Sequence, residues 1–163
     1  MPMRRGTFDN APLTTLFPDL SLADVHSLQS AASAVDRASA NRTEWEWALQ
    51  LVVFHDSEPG SPVILGVDVI EHADGTDRLE FLLQVVWTEK GQLAVDAAVN
   101  VACWCDSEHA THDIDAVRVV VDDETSLVNA FRASAERLTG WLADPRDADH
   151  WRARAGLPVR RPE

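Results

Sequence analysis

Two cysteines and two histidines crowd into the stretch ACWCDSEHATHD, residues 102–113. Cys103, Cys105, His109 and His112 have the ligand chemistry of a tetrahedral zinc site. Their spacing argues against one. Structural zinc sites usually take two ligands from each of two separated turns, whereas all four here would come from one strand end and the loop after it. A second chemistry is a reactive thiol, Cys105 with His109 as its base. A thiolate needs an electropositive, accessible setting, and Asp106, Glu108 and Asp113 oppose that. The ordinary alternative is that both thiols are small buried hydrophobes. A disulfide between them is disfavoured, because residues i and i+2 on a strand lie roughly 6.5–7 Å apart at Cα. His55 and His72 fall at predicted strand ends. The expected strand order puts His72 on one sheet edge with His109 and His112, although loops commonly carry such polar residues without a site.

Which reading applies depends on the elements that position these residues. Residues 1–18 read as a loose N-terminal arm with Pro2, Pro12 and Pro18, its end tethered by Leu13, Leu16 and Phe17. A helix is expected from Ser21, a good N-cap, to about Asn41, with Leu22, Val25, Leu28, Ala32 and Val35 as its apolar stripe. From 43 to 121 the period changes to two. Odd-numbered positions collect Trp45, Trp47, Leu49, Leu51 and Val53, then Leu79, Phe81, Leu83, Val85 and Trp87, then Leu93 through Cys105, then Val117, Val119 and Val121. Within TEKGQ, Glu89–Lys90–Gly91 fits a three-residue hairpin loop with glycine where positive φ is needed. That loop sets Leu93 beside Trp87 and Val99 beside Phe81, whereas a two-residue loop would mix the faces. HADGT has the same shape. A second long helix is expected after Asp122 or Asp123, with Leu127, Phe131, Ala135, Leu138 and Leu142 buried and Pro145 ending it.

These readings add up to a two-layer α+β fold: N-terminal helix, five-stranded antiparallel meander, C-terminal helix and a short terminal helix. The single domain is expected over 19–155, followed by a basic tail at 156–163. Both long helices are expected on the odd-numbered face, which places Cys103 and Cys105 there, with Trp104 facing the other way.

Composition narrows function further. The 163-residue chain carries 14 basic and 27 acidic residues, a net charge of −13. So acidic a chain does not favour nucleic acid or an anionic membrane, since both are polyanions. No apolar run approaches a membrane span and no secretory leader is recognisable, so a cytoplasmic location is the expectation. Lys90 is the one lysine among arginines, a bias that coding composition or salt adaptation could also produce. No phosphate loop, nucleophile elbow, zinc-protease helix or dinucleotide fingerprint is present, which points away from an enzyme.

The even-numbered sheet face is the stronger candidate site. It gathers Glu44, Glu46, Asp68, Glu80, Asp96 and Trp104, with Arg78 and Arg118 in opposition and Ile64, Leu82, Val86 and Ala98 between them. An antiparallel sheet commonly presents such a face to water. Its acid-plus-apolar character also suits a protein partner, a basic one in particular, or a second copy of the chain. In element order alone, helix–meander–helix resembles small acidic bacterial proteins such as secretion-chaperone-like domains and immunity proteins of toxin systems. That resemblance is one of architecture, and fold does not fix function. The expectation is a non-catalytic interaction protein without a cofactor. The alternatives are a zinc- or small-ligand-binding domain centred on residues 103–112, and a pocket between sheet and helix lined by Trp45, Trp47 and Trp87.

Overall fold

The computed structural model describes residues 11–40, 47–54, 63–73, 77–103, 111–143 and 153, with side chains placed over 14–39, 80–100, 113–143 and at 153. Its elements are α1 (Ala11–Leu16), α2 (Leu22–Ala40), β1 (Trp47–Phe54), β2 (Val63–Ala73), β3 (Asp77–Trp87), β4 (Leu93–Cys103), β5 (Thr111–Val121) and α3 (Glu124–Leu142). The class is α+β with an antiparallel sheet, as the change of period from 3.6 to two implies.

The β3–β4 hairpin sets the frame. Gly91 has φ of +73°, which L side chains rarely adopt. Its N–H donates to the Thr88 carbonyl at 2.9 Å, and the Thr88 N–H donates to the Gln92 carbonyl at 2.7 Å. The Thr88 hydroxyl also accepts from the Gln92 N–H at 3.1 Å. This closes the three-residue loop, and the ladder pairs Trp87 with Leu93, Val85 with Val95 and Phe81 with Val99. The backbones of β2 and β1 continue the sheet in the order β1-β2-β3-β4-β5. On the β2–β3 side the ladder runs to Ala73 opposite Asp77.

The odd-numbered face of β3 and β4 is the floor of the core. Phe81, Leu83, Val85, Val95, Ala97 and Val99 are fully buried there. Helix α3 lies over β3, β4 and β5, and α2 packs beside it. Leu127, Phe131, Ala135, Leu138 and Leu142 of α3 meet Leu28, Ala32 and Val35 of α2 in one cluster with the sheet residues. Both long helices, α2 and α3, begin in a reciprocal cap. In α2, Ser21 and Asp24 exchange N–H to side-chain bonds, each 3.0 Å. In α3, the Asp123 carboxylate accepts the Ser126 N–H at 2.7 Å, and the Ser126 hydroxyl accepts the Asp123 N–H at 3.1 Å.

Several expectations need correction. Leu22 does not join the stripe of α2 and is 90% exposed. At 100° per residue it lies about 120° round the helix from Leu28, a rotation that spacing by threes conceals. Residues 11–16, inside the stretch read as a loose arm, form α1. Of the expected tethers, Phe17 is in the core and Leu16 is 40% exposed. Helix α3 ends at Leu142, and the Ala143 N–H donates to the Thr139 carbonyl at 2.9 Å. Apart from Ala153, residues 144–163 lie outside the described residues, and with them the short terminal helix and the tail.

β5 departs most from simple alternation. It begins at Thr111, so His112 and Asp113 belong to a strand and not to the polar loop expected there. A register shift explains the difference. Val99 pairs with Asp115 but Asn100 pairs with Asp113, leaving Ile114 as the additional residue of a β-bulge. Ile114 packs against the core although its number is even. On the N-terminal side of the bulge, at 111–113, the parity of β5 is inverted relative to β4.

Candidate interaction face

The ladders lay the even-numbered face out in rows. Asp68, Leu82, Ala98 and Ala116 form one row across β2 to β5, and Gly66, Gln84, Asp96 and Arg118 form the next. A third row runs Ile70, Glu80, Asn100, Asp113. Asp113 arrives on this face only because of the bulge. Nothing in its own residue number foretells that; the one sequence signal is the lost alternation at HDID.

At the centre is a two-pronged ion pair. Arg118 Nε donates to Asp96 Oδ1 at 2.7 Å, and a terminal guanidinium nitrogen donates to Oδ2, also at 2.7 Å. Gln84 Nε2 adds a longer bond of 3.4 Å to Asp96 Oδ2. The Asp96 side chain is only 13% exposed while that of Arg118 is 54% exposed. The hydrogen bond to Asp96 raises the Arg118 pKa above its already high value, with burial opposing and the charges of Asp96 and Glu89 assisting. Asp96 is therefore spoken for within the sheet. The open end of the pair is the guanidinium, whose flat fork suits oxygen acceptors.

The other acidic candidates differ. Glu80 is half-buried. Asp113 is exposed, and Asn100, with its amide nitrogen turned toward β5, donates to it. Asp68 occupies a β2 register position between Val52 and Leu82. Glu44, Glu46 and Trp104 lie outside the described residues. Leu82, Ala98 and Ala116 sit between these polar groups, and the surface they share with Asp96, Asp113 and Arg118 is a shallow concavity. Nearer the hairpin, Val86, Ala94 and Val120 make a more apolar row, with Ala94 buried and Val120 half exposed.

The opposite face has its own ion pair. Arg137 of α3 reaches Asp115 at 3.0 Å and stands 5.4 Å from the centre of the Trp141 ring. This ties α3 to β5.

Of the proposed metal ligands, the backbone places Cys103 and His112, while Cys105 and His109 lie outside the described residues. His112 pairs with Val101, two positions before Cys103. They are diagonal neighbours on adjacent strands, roughly 7–8 Å apart. His72 is not brought to them: its row runs through Arg78 and Ala102 to Thr111, three strand spacings or roughly 14 Å. Among the described residues, no group of three or more His, Cys, Asp or Glu is arranged to hold a metal ion. His55 lies outside the described residues. Trp87, expected to line a pocket under a helix, is 40% exposed and borders an open depression at the hairpin with Val120 and Arg118.

Among the described residues, no helix is long and apolar enough to cross a membrane. The chain matches no protein-family model, no curated protein and no solved structure.

Proposed function

We propose that this is a non-catalytic acidic protein that binds a basic protein partner, in the manner of an immunity protein or a secretion chaperone. The observation that carries the reading is the asymmetry of the sheet. Described helices load one face, and the other keeps carboxylates and small apolar side chains together at the surface. Charge complementarity would speed association and select cationic partners, and both effects weaken as salt screens them. The reading takes the whole sheet as a five-stranded meander in a two-layer domain, with Glu44, Glu46, Asp68, Glu80 and Trp104 contributing to the face, in a cytoplasmic protein. Asp96 has a different part in it. Its bond to Arg118 makes it a holder of that guanidinium, not a docking carboxylate.

The test is capture of partners on the immobilised chain at low and high salt, against a variant carrying Asp68→Lys and Glu80→Lys. Partner recovery should fall at least about tenfold in the variant and at high salt. Unchanged recovery in both would end the reading. Self-association through the same face would instead be seen as a dimer in sedimentation that the two substitutions dissolve.

A second reading has one observation in its favour. The bulge sets His112 diagonally from Cys103 at the backbone, as a zinc site centred on residues 103–112 would need. It predicts about one equivalent of zinc held by deprotonated thiols. Metal analysis of the purified chain, with thiol labelling before and after chelation, separates the two.

A further inference from the structure

We infer that the outer edge of β5, from Asp115 to Val121, accepts an extended segment of a partner protein as an added strand, with β-branched residues at the segment's centre and basic residues at its ends. The inference rests on the acidic-partner reading above and specifies how such a partner is held.

β5 is the last strand in the sheet order, and among the described residues nothing pairs with its outer side. Every second residue of such a strand turns an N–H and a C=O outward. Proteins commonly blunt such edges with lysine, proline, bulges or charge. β5 contains neither lysine nor proline, and the two charged residues from Asp115 to Val121 are paired inside the fold, Asp115 with Arg137 and Arg118 with Asp96. Its one bulge, at Ile114, disrupts the first part of the strand only, and from Asp115 to Val121 the ladder with β4 is unbroken. Regular backbone is therefore available over that window and not before it.

The side chains of the window fit an apolar strand. Val119 is 39% exposed and Val120 is 50% exposed. As neighbours they project to opposite faces, so a strand laid alongside would shield both. A single patch on one face would not need an occupant of that shape.

Charge selects the occupant. The cations at the window are partly compensated, Arg118 bonded to Asp96 through two of its three guanidinium nitrogens and Arg137 of α3 bonded to Asp115. Exposed carboxylates stand at both ends, Asp113 before the window and Asp122 after it, while the Asp123 carboxylate is committed to the cap of α3. An incoming strand with basic ends meets those carboxylates. A second copy of β5 brings the same carboxylates and a second net charge of −13, so like charge opposes it. The recognition mode is strand addition: backbone bonds supply affinity, and alternate side chains with terminal charge supply selectivity.

The probe is the synthetic peptide RVTVTVR, compared with the same peptide N-methylated at alternate residues and with the acidic twin EVTVTVE. Binding is read by fluorescence anisotropy on the full chain, and its location by amide hydrogen exchange. RVTVTVR should protect amides within residues 115–121. Both the N-methylated and the acidic peptides should bind at least about tenfold more weakly. Val120→Lys should weaken RVTVTVR by a similar factor, while Val120→Thr should keep it; circular dichroism on both variants reports that the sheet is intact. Equal binding by the N-methylated or the acidic peptide overturns the proposal. So does protection outside residues 115–121, failure of RVTVTVR to bind, or a dimer whose own β5 amides are protected. The acidic-face reading fails by a different route, when Asp68→Lys with Glu80→Lys leaves partner capture and its salt dependence unchanged.

Discussion

Phe81 and Leu82 are neighbours on β3, but they answer to different surroundings. Phe81 is fully buried under α3 in the core cluster. Leu82 is half-buried on the other side, in a concavity shared with Asp96 and Arg118. The same strands thus present a face held by close packing and a face held by cross-strand polar pairs. The first has little freedom to change without loss of the fold. The second can vary in charge and shape at small cost to stability, which is where recognition can be built.

The sharpest test of this contrast is truncation of the two neighbours. Phe81→Ala should cost about 3–5 kcal/mol, and Leu82→Ala about 1 kcal/mol or less, both read by chemical denaturation. Similar costs would mean that the even-numbered face is covered too. Next is the device that assigns residues to faces. Gly91→Ala places a Cβ with nothing within 4 Å, so its cost is backbone strain alone, about 1 kcal/mol. Gly91→Asn should cost less, because asparagine tolerates the left-handed region better. Equal losses for both would point to a lost contact, not to strain.

The polar face has its own measure. A double-mutant cycle on Asp96→Asn and Arg118→Ala should give a coupling of about 0.5–1 kcal/mol, given how exposed the guanidinium is. Salt should reduce it. The smallest effect concerns the cap that starts α3 over the buried face. The Ser126 N–H, then the Ser126 hydroxyl, hold the Asp123 carboxyl below its ordinary value of 3.8. The folded chain therefore binds this proton more weakly than the unfolded chain. The stabilisation is complete above 3.8 and is lost as pH falls through the lower folded value. Asp123→Ala should lower Tm at neutral pH, and the gap to the parent chain should close in acid. A gap that persists below the folded value would assign the loss to the hydroxyl bonds of Ser126 instead.

Much of the covered face was legible in the chain because its signal is local. Period-two alternation marks β3 and β4, and a glycine at the third position of a tight loop selects one register out of two. The caps are likewise written within a few residues of the helices they start, Ser21 for α2 and the Asp122–Asp123 pair for α3, of which the structure uses Asp123. Leu22 was misassigned because spacing by threes drifts off a helical stripe by about 60° each step. Asp96 looked like a docking carboxylate because sequence order cannot show that Arg118, 22 positions later, folds across it.

The residues themselves therefore determined the alternation of β3 and β4, the hairpin that joins them, the helix caps and the overall acidity. These follow from backbone sterics and from the two-residue repeat of a strand, which act over short stretches of chain. Tertiary structure decided the rest: that Ile114 bulges and moves Asp113 to the other face, that His112 stands opposite Val101, and that Arg118 folds across Asp96. Pairing with β4 imposes those outcomes, because a strand's register is set by its neighbour as much as by its own pattern. ACWCDSEHATHD, which began as a single cluster of ligand-type residues, ends divided between a strand end, a segment outside the described residues and the start of β5.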